Sequence, residues 1–290
     1  MRDVVGKRHH LILIFLSLIV CLAASYQQGE CLSSNPMKII FPYSWFGNID
    51  ESNFREPSGI VFHPHRATLF VVGNRGDIGE FTKKGALIKH KHLMDADFEG
   101  ITVNPTTGLL YVAVEGDAKI IEVGPDDFSV RREFLIRRNF RGNMLLKPGG
   151  QGINAITFVP DSSLPQGGTF YLANQAFKYD TTDDPSVIFE VSLPLKTLTQ
   201  DRSKPYEVNI KRVFNIHVID ISALHYDSLL DVIYVVSDAT NTFFKMMRNG
   251  KLVISYAFPG DNQEGITLDD EGYLYIAQDS GGIIKLKWHR

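Results

Sequence analysis

Glu99–Glu115 reads EGITVNPTTGLLYVAVE, and the same pattern is written four more times along the chain. The other copies are SGIVFHPHRATLFVVGN from Ser58, NAITFVPDSSLPQGGTFYLANQ from Asn154, SALHYDSLLDVIYVVSD from Ser222 and EGITLDDEGYLYIAQD from Glu264. Each copy is an apolar strand, a polar turn, a second apolar strand and a polar loop opened by Asn, Glu or Asp. Successive starts lie 41, 55, 68 and 42 residues apart. A period near 40 with several strands per unit is the signature of a β-propeller.

The strands of one unit can be read in order from the second copy. GITV is short and expected innermost, and NPTTG is a turn punctuated by Pro and Gly. LLYVAV is a nearly continuous apolar run, as expected when neighbouring blades cover both faces. KIIEV follows as a third strand, and the charged VRREFLI as an outer one, where polarity protects a sheet edge. The 68-residue interval is too short for two units, and insertions account for its excess: SSLPQGG, AFKYDTTDDPS (Ala176–Ser186) and the tract around TQDRSKPYE. Five blades are therefore expected, with six as the competing count. After GIIKLKW the fifth copy has only His289 and Arg290 left, so it lacks a fourth strand. The sequence predicts that MKIIFPY, Met37–Tyr43, supplies it and closes the ring. The expected fold is thus an all-β propeller over residues 37–290.

Composition fits one exported domain. Apolar residues make up 44% of the 290 and the net charge is −3, which argues against disorder and against nucleic-acid binding by bulk charge. Residues 1–25 have a secretory layout: Arg2, Lys7 and Arg8, then 14 uncharged residues from Leu11 to Ala24, then a small-residue exit. The apolar run is short for a membrane span, which needs about 20 residues. A cleaved signal predicts a mature start near Ala24–Gln27; an uncleaved anchor through residues 11–24 leads to the same compartment. Residues 26–36 read as a linker. The only cysteines, Cys21 and Cys31, precede the repeats, so the propeller carries no disulfide.

The polar residues of the repeat converge on one mouth of the ring. Entry to the innermost strand and exit from the next lie at the same end of a blade. Entry positions hold Ser58, Glu99, Asn154, Ser222 and Glu264. Two residues earlier, on the same side of an extended chain, come Glu56, Asp97, Gly152, Asp220 and Asn262. Exit positions read as Asn74, Glu115, Asn174, Asp238 and Asp279. Like charges this close repel unless something neutralises them. A hard cation such as Ca²⁺ takes six to eight oxygens of this kind. Each such residue taken singly is as readily a turn cap bonded to its own backbone; recurrence in successive blades favours a functional mouth.

Several of these stretches carry a resemblance. FREPSGIVFHPHRATLFVVGN, DFEGITVNPTTGLLYVAVE, DISALHYDSLLDVIYVVSDATNTFFKM and QEGITLDDEGYLYIAQD resemble the SdiA-regulated family of exported bacterial proteins, over about residues 38–288. The resemblance implies a five-bladed propeller distantly akin to NHL repeats and an N-terminal export or anchoring segment. It also implies a calcium site. Carried over by position, that site comprises Glu99, Glu264, Asp220 and Asp238, with Glu115 and Asn154. The chain departs from the family pattern at Asn154-Ala155 and Ser222-Ala223, which leaves the third-blade ligand open. The location implied is periplasmic, inner-membrane-anchored or secreted.

Other constellations are weaker. His63 and His65 flank a turn proline on the opposite face and lack further metal ligands. His90 and His92 alternate with lysines on an outer strand. No nucleophile elbow is present, and KPGGQG (Lys147–Gly152) lacks the phosphate-loop pattern. Arg137, Arg138, Arg141 and Lys147 read as a solvated loop. Two functions remain. One is a binding module that presents the carboxylate mouth to a protein, peptide or glycan. The other is a metal-dependent hydrolase of lactonase or esterase type, with Asp238, Glu115 or Asp279 as base.

Overall fold

The computed structural model describes residues 39–148, 152–179, 181, 184–197 and 204–290, and these contain strands, turns and no helix. The expected export segment, the linker and the start of Met37–Tyr43 lie outside the described residues.

The chain enters through β1 (Ile39–Ile40) and β2 (Tyr43–Asn48). Blade one follows as β3 (Pro57–His63), β4 (Thr68–Gly73), β5 (Asp77–Thr82) and β6 (Leu87–His92). Blade two is β7 (Phe98–Val103), β8 (Leu110–Val114), β9 (Lys119–Val123) and β10 (Val130–Ile136). A small hairpin, β11 (Asn139–Phe140) and β12 (Asn143–Met144), leads on to blade three. That blade holds β13 (Ile153–Pro160), β14 (Gly168–Asn174), β15 (Ile188–Val191) and β17 (Ile210–Phe214), while β16 (Tyr206–Val208) leaves it to join blade two. Blade four is β18 (Ile221–Asp227), β19 (Val232–Ser237), β20 (Thr242–Met247) and β21 (Leu252–Ala257). Blade five is β22 (Gln263–Leu268), β23 (Tyr273–Gln278) and β24 (Ile283–Trp288), completed by β2. Each innermost strand packs on the innermost strands of both neighbours, and the circuit returns from β22 to β3. The ring has five blades.

Alternation along the second strands builds the cores. In β4, Leu69 and Val71 face blade five with Tyr275 and Ile283, whereas Phe70 and Val72 face blade two with Val112 and Ile121. Both faces are therefore covered, which is why these strands read as continuous apolar runs. Five such clusters, one between each pair of adjacent blades, make up the core.

Ring closure differs from the expected Met37–Tyr43. The closing strand is β2, whose Tyr43 and Phe46–Asn48 pair antiparallel with β24. Ile39 and Ile40 instead pair parallel with Tyr256 and Ala257 at the outer edge of blade four. Phe41, 1% exposed, lies between blades four and five, its ring 4.9 Å from Phe243, 5.1 Å from Phe258 and 5.0 Å from Trp288. Burying such a ring is worth about 1.5–3 kcal/mol, so one segment laces two blades together. The third-blade insertion does the same elsewhere: Tyr206–Val208 extends the edge of blade two beside Phe134–Ile136.

Candidate metal centre at the carboxylate mouth

Every entry residue sits in a β-bulge. Pro57 pairs with Gly73 and Gly59 with Val72, so Ser58 has no opposite number. The same one-residue slip isolates Glu99, Asn154, Ser222 and Glu264. A bulge turns its extra residue out of the pleat and re-aims the side chain. Five bulges in register set five oxygen-bearing side chains at one end of the axis.

The next residue is small for a separate reason. A Cβ on Gly265 would lie 2.8 Å from the Ile60 nitrogen, and one on Gly100 would lie 3.1 Å from the Ile156 nitrogen. The innermost strands approach that closely around the axis; Ala155 and Ala223 fill the same position in blades three and four. The channel there narrows to a cavity of about 10 Å³, lined by Glu99, Ser222 and Glu264 among others, room for about one small particle.

Two expectations about the outer rings need correction. In three blades the chain two residues before entry is not extended: Glu56, Asp220 and Asn262 have φ of 47°, 49° and 51°. In all five blades the carbonyl at this position accepts from the exit residue. The bonds run Asn74 N–H to Glu56, Glu115 to Asp97, Gln175 to Gly152, Asp238 to Asp220 and Asp279 to Asn262. This pattern also moves the third exit position from Asn174 to Gln175. Asn174 pairs inside the strand with Ile153 and is fully buried. Its amide donates to the carbonyls of Leu145 and Pro185 and accepts from the Val187 N–H, clamping the neck of the Ala176–Ser186 insertion. The longer hairpin turn of that blade hid the one-residue offset.

Asp97, Glu99 and Glu115 each offer a carboxylate oxygen within 4.8 Å of the others. That span suits a hard cation binding oxygens at about 2.3–2.6 Å. Burial, then Asp97, Glu115 and Glu264, hold the Glu99 carboxyl far above the usual carboxylate range. Glu264 is pushed up to about 8, by burial first and then by Asp238, Asp220, Asp279 and Glu115. Burial raises Asp220, Asp238 and Glu115 as well, each with a neighbouring carboxylate adding to the effect. So Glu264 is linked through charge to both Glu99 and the Asp220–Asp238 side of the ring.

Some of these groups also hold the scaffold. Glu115 accepts from the Gly152 N–H at 3.2 Å and Asp238 from the Gln263 N–H at 2.9 Å, each stitching one blade to the next. Asp220 accepts from Ala239 N–H at 2.9 Å. Asn154 donates to the Ile221 carbonyl across the blade three–four boundary at 3.3 Å. Yet Asp97 Oδ1, Asn74 Oδ1 and Ser222 Oγ are buried without a hydrogen-bond partner among the described residues. Buried oxygens left unpaired are costly and suit a cation. Of the six carried-over residues, Glu99 and Glu115 fall in the tight cluster. Asp97, recognised only as a ring member, joins them because it precedes the bulge by two residues. The charge of Asp184, near the end of the Ala176–Ser186 insertion, adds to the raising of Glu115.

The sequence profile of the SdiA-regulated family matches residues 51–281. The chain belongs to the SdiA-regulated family. No curated protein sequence matches it significantly. Among solved structures, this SdiA-regulated propeller is similar to Myxococcus xanthus glutaminyl cyclase, with a TM-score of 0.56 and 10% identity over 87% of this chain and 98% of that one. It also aligns with the Cps50 (Swd1) β-propeller domain of Myceliophteria thermophila, at a TM-score of 0.47 and 10% identity over 85% and 100% of the two chains. Identity this low speaks to fold alone.

Three of the basic residues weighed in the sequence, His63, Arg137 and Arg138, have structural partners. His63 is buried, with Nε2 2.9 Å from the Gly108 carbonyl of the next blade's turn. Arg138 donates to the Gly116, Leu146 and Lys147 carbonyls, and Arg137 pairs with Glu207.

Proposed function

We propose that this protein is an exported, calcium-binding propeller that acts as a ligand- or protein-binding module. It would take a protein, peptide or glycan at the carboxylate mouth. The observation that carries this reading is the cluster of Asp97, Glu99 and Glu115 beside orphaned buried oxygens. The donors are all oxygens, which selects a hard divalent cation over a softer one. Asp97, Glu99 and Glu115 would hold Ca²⁺, with Glu264 completing its surroundings across the axis and Asp220 and Asp238 beyond. When bound, the ion supplies positive charge to a crowded acidic ring and a coordination position for a ligand oxygen. The chain's own residues supply the frame: five bulges aim the donors, and the backbone bonds of the exit residues fix the loops that carry them. Terbium luminescence, excited directly and displaced by Ca²⁺, tests the site. Loss of that signal in Asp97→Asn together with Glu99→Gln is expected; an unchanged signal would remove the proposal.

A second reading, a metal-dependent hydrolase, draws support from Glu264. Burial and neighbouring carboxylates raise this carboxyl in the absence of an ion; a cation beside it would lower it again and free it to accept a proton. Calcium-dependent hydrolysis of small lactones, abolished by Glu264→Gln, would favour it over the binding module.

A further inference from the structure

The opposite mouth of the channel differs from the carboxylate mouth in chemistry. The innermost strands run on about four residues past their bulges, about 13 Å at 3.3 Å per residue. There they open into a cavity of about 300 Å³ walled by Phe62, Val103, Phe158 and Leu268. This is the lower end of the size range of small-molecule pockets.

Two positions in this funnel break the pattern of the ring, the apolar Val61 in blade one and the polar His225 in blade four. In blades two, three and five the wall residue is a threonine whose hydroxyl accepts the next blade's N–H. Thr102 takes Phe158 at 3.0 Å, Thr157 takes Tyr226 at 2.9 Å and Thr267 takes Phe62 at 2.9 Å. Blade four places His225 there. Its ring lies parallel to Tyr234, 6.3 Å away, and makes no hydrogen bond among the described residues. It is crowded by protein atoms yet keeps contact with the cavity. That crowding holds it neutral at physiological pH, its pKa lowered to about 4 by burial. A neutral imidazole has one donor and one acceptor to offer.

The charges around the funnel are already matched. Asp227 accepts from Tyr234 hydroxyl at 2.7 Å, from the Leu229 N–H at 2.9 Å, and pairs with Arg290 at 2.9 Å. Asp269 accepts from Tyr275 hydroxyl at 3.0 Å and from the Glu271 and Tyr273 N–H groups. Neither a cation nor an anion finds an unpaired partner in those residues. What is unpaired is the imidazole, which shares the cavity lining with Phe62, Val103, Phe158 and Leu268.

We propose that this funnel binds a small, neutral aromatic alcohol, its ring against Phe62 and Phe158 and its hydroxyl bonded to His225. The site is independent of the carboxylate mouth. The probe is 2-naphthol, titrated into the full chain by fluorescence in the presence of chelator. Saturable one-to-one binding is expected, about five- to tenfold weaker in His225→Phe, which keeps the ring and loses the hydrogen bond. In the unmodified protein, the imidazole ¹⁵N resonances of His225 should shift with the same saturation curve, a measurement that needs no variant to fold. Glu264→Gln and added Ca²⁺ should leave the affinity unchanged, so failure of the metal site and failure of this one are separable. Absence of saturable binding, or binding that leaves His225 unshifted, would overturn the assignment.

Discussion

Glu264 shows how much of this protein's chemistry turns on single side chains. Its folded pKa of about 8 exceeds its ordinary value of 4.5. Between those values the native state holds a proton that the unfolded chain has released, so stability without metal falls as pH rises through that window. Raised values at Glu99, Glu115, Asp220, Asp238 and Asp279 act in the same direction. In chelator, the melting temperature should therefore drop from pH 5 to pH 8, and Glu264→Gln should flatten the slope. A melting temperature that rises over this interval would contradict the account. Gly265 tests packing at the axis: Gly265→Val drives a Cβ to 2.8 Å from the Ile60 nitrogen. The cost should be about 1–3 kcal/mol by denaturant unfolding. The acidic and hydroxyl entry residues were legible in the sequence because they recur, as was the glycine after them. The bulge that aims them was not, because an extra residue in one strand leaves no mark on apolar alternation this short.

At the scale of elements, the repeat identified the strands well and their attachments less well. The closing strand lies at Tyr43–Asn48 rather than Met37–Tyr43, since YSWFGN is less apolar than MKIIFPY and looked less like a strand. MKIIFPY contributes something else, a two-residue parallel pairing and one buried ring, Phe41. Deleting residues 43–48 should abolish the cooperative melt by leaving the outer edge of β24 unpaired; an unaltered melt would mean the ring closes without that strand. Asn174 was read as part of the mouth from spacing alone, and a seven-residue insertion in its hairpin shifted the register by one. As a clamp, Asn174→Ala would leave the Val187 N–H and two carbonyls unpaired. The expected loss is about 1–3 kcal/mol in a denaturant titration; a neutral substitution would show that the insertion neck is held by other contacts.

The described residues of the propeller form a ring whose ends differ in chemistry: a carboxylate mouth where bulged residues converge, and a funnel with apolar walls where the same strands finish. Five-fold repetition produces both, because each innermost strand presents its entry to one end and its exit to the other. The fold was readable because each blade repeats the same physics, whereas the two proposed sites draw on features confined to single blades, the clustering of Asp97 with Glu99 and Glu115 in blade two and His225 in blade four. The most direct test of the account is thermal unfolding of the full chain in chelator and in millimolar Ca²⁺. With free ion at a hundred times its dissociation constant, the native state should gain about 2.7 kcal/mol, seen as a higher melting temperature. The double change Glu99→Gln, Glu264→Gln should erase that gain. Identical curves with and without Ca²⁺ for the unmodified protein would contradict the central claim, and a full shift in the double variant would place the ion elsewhere.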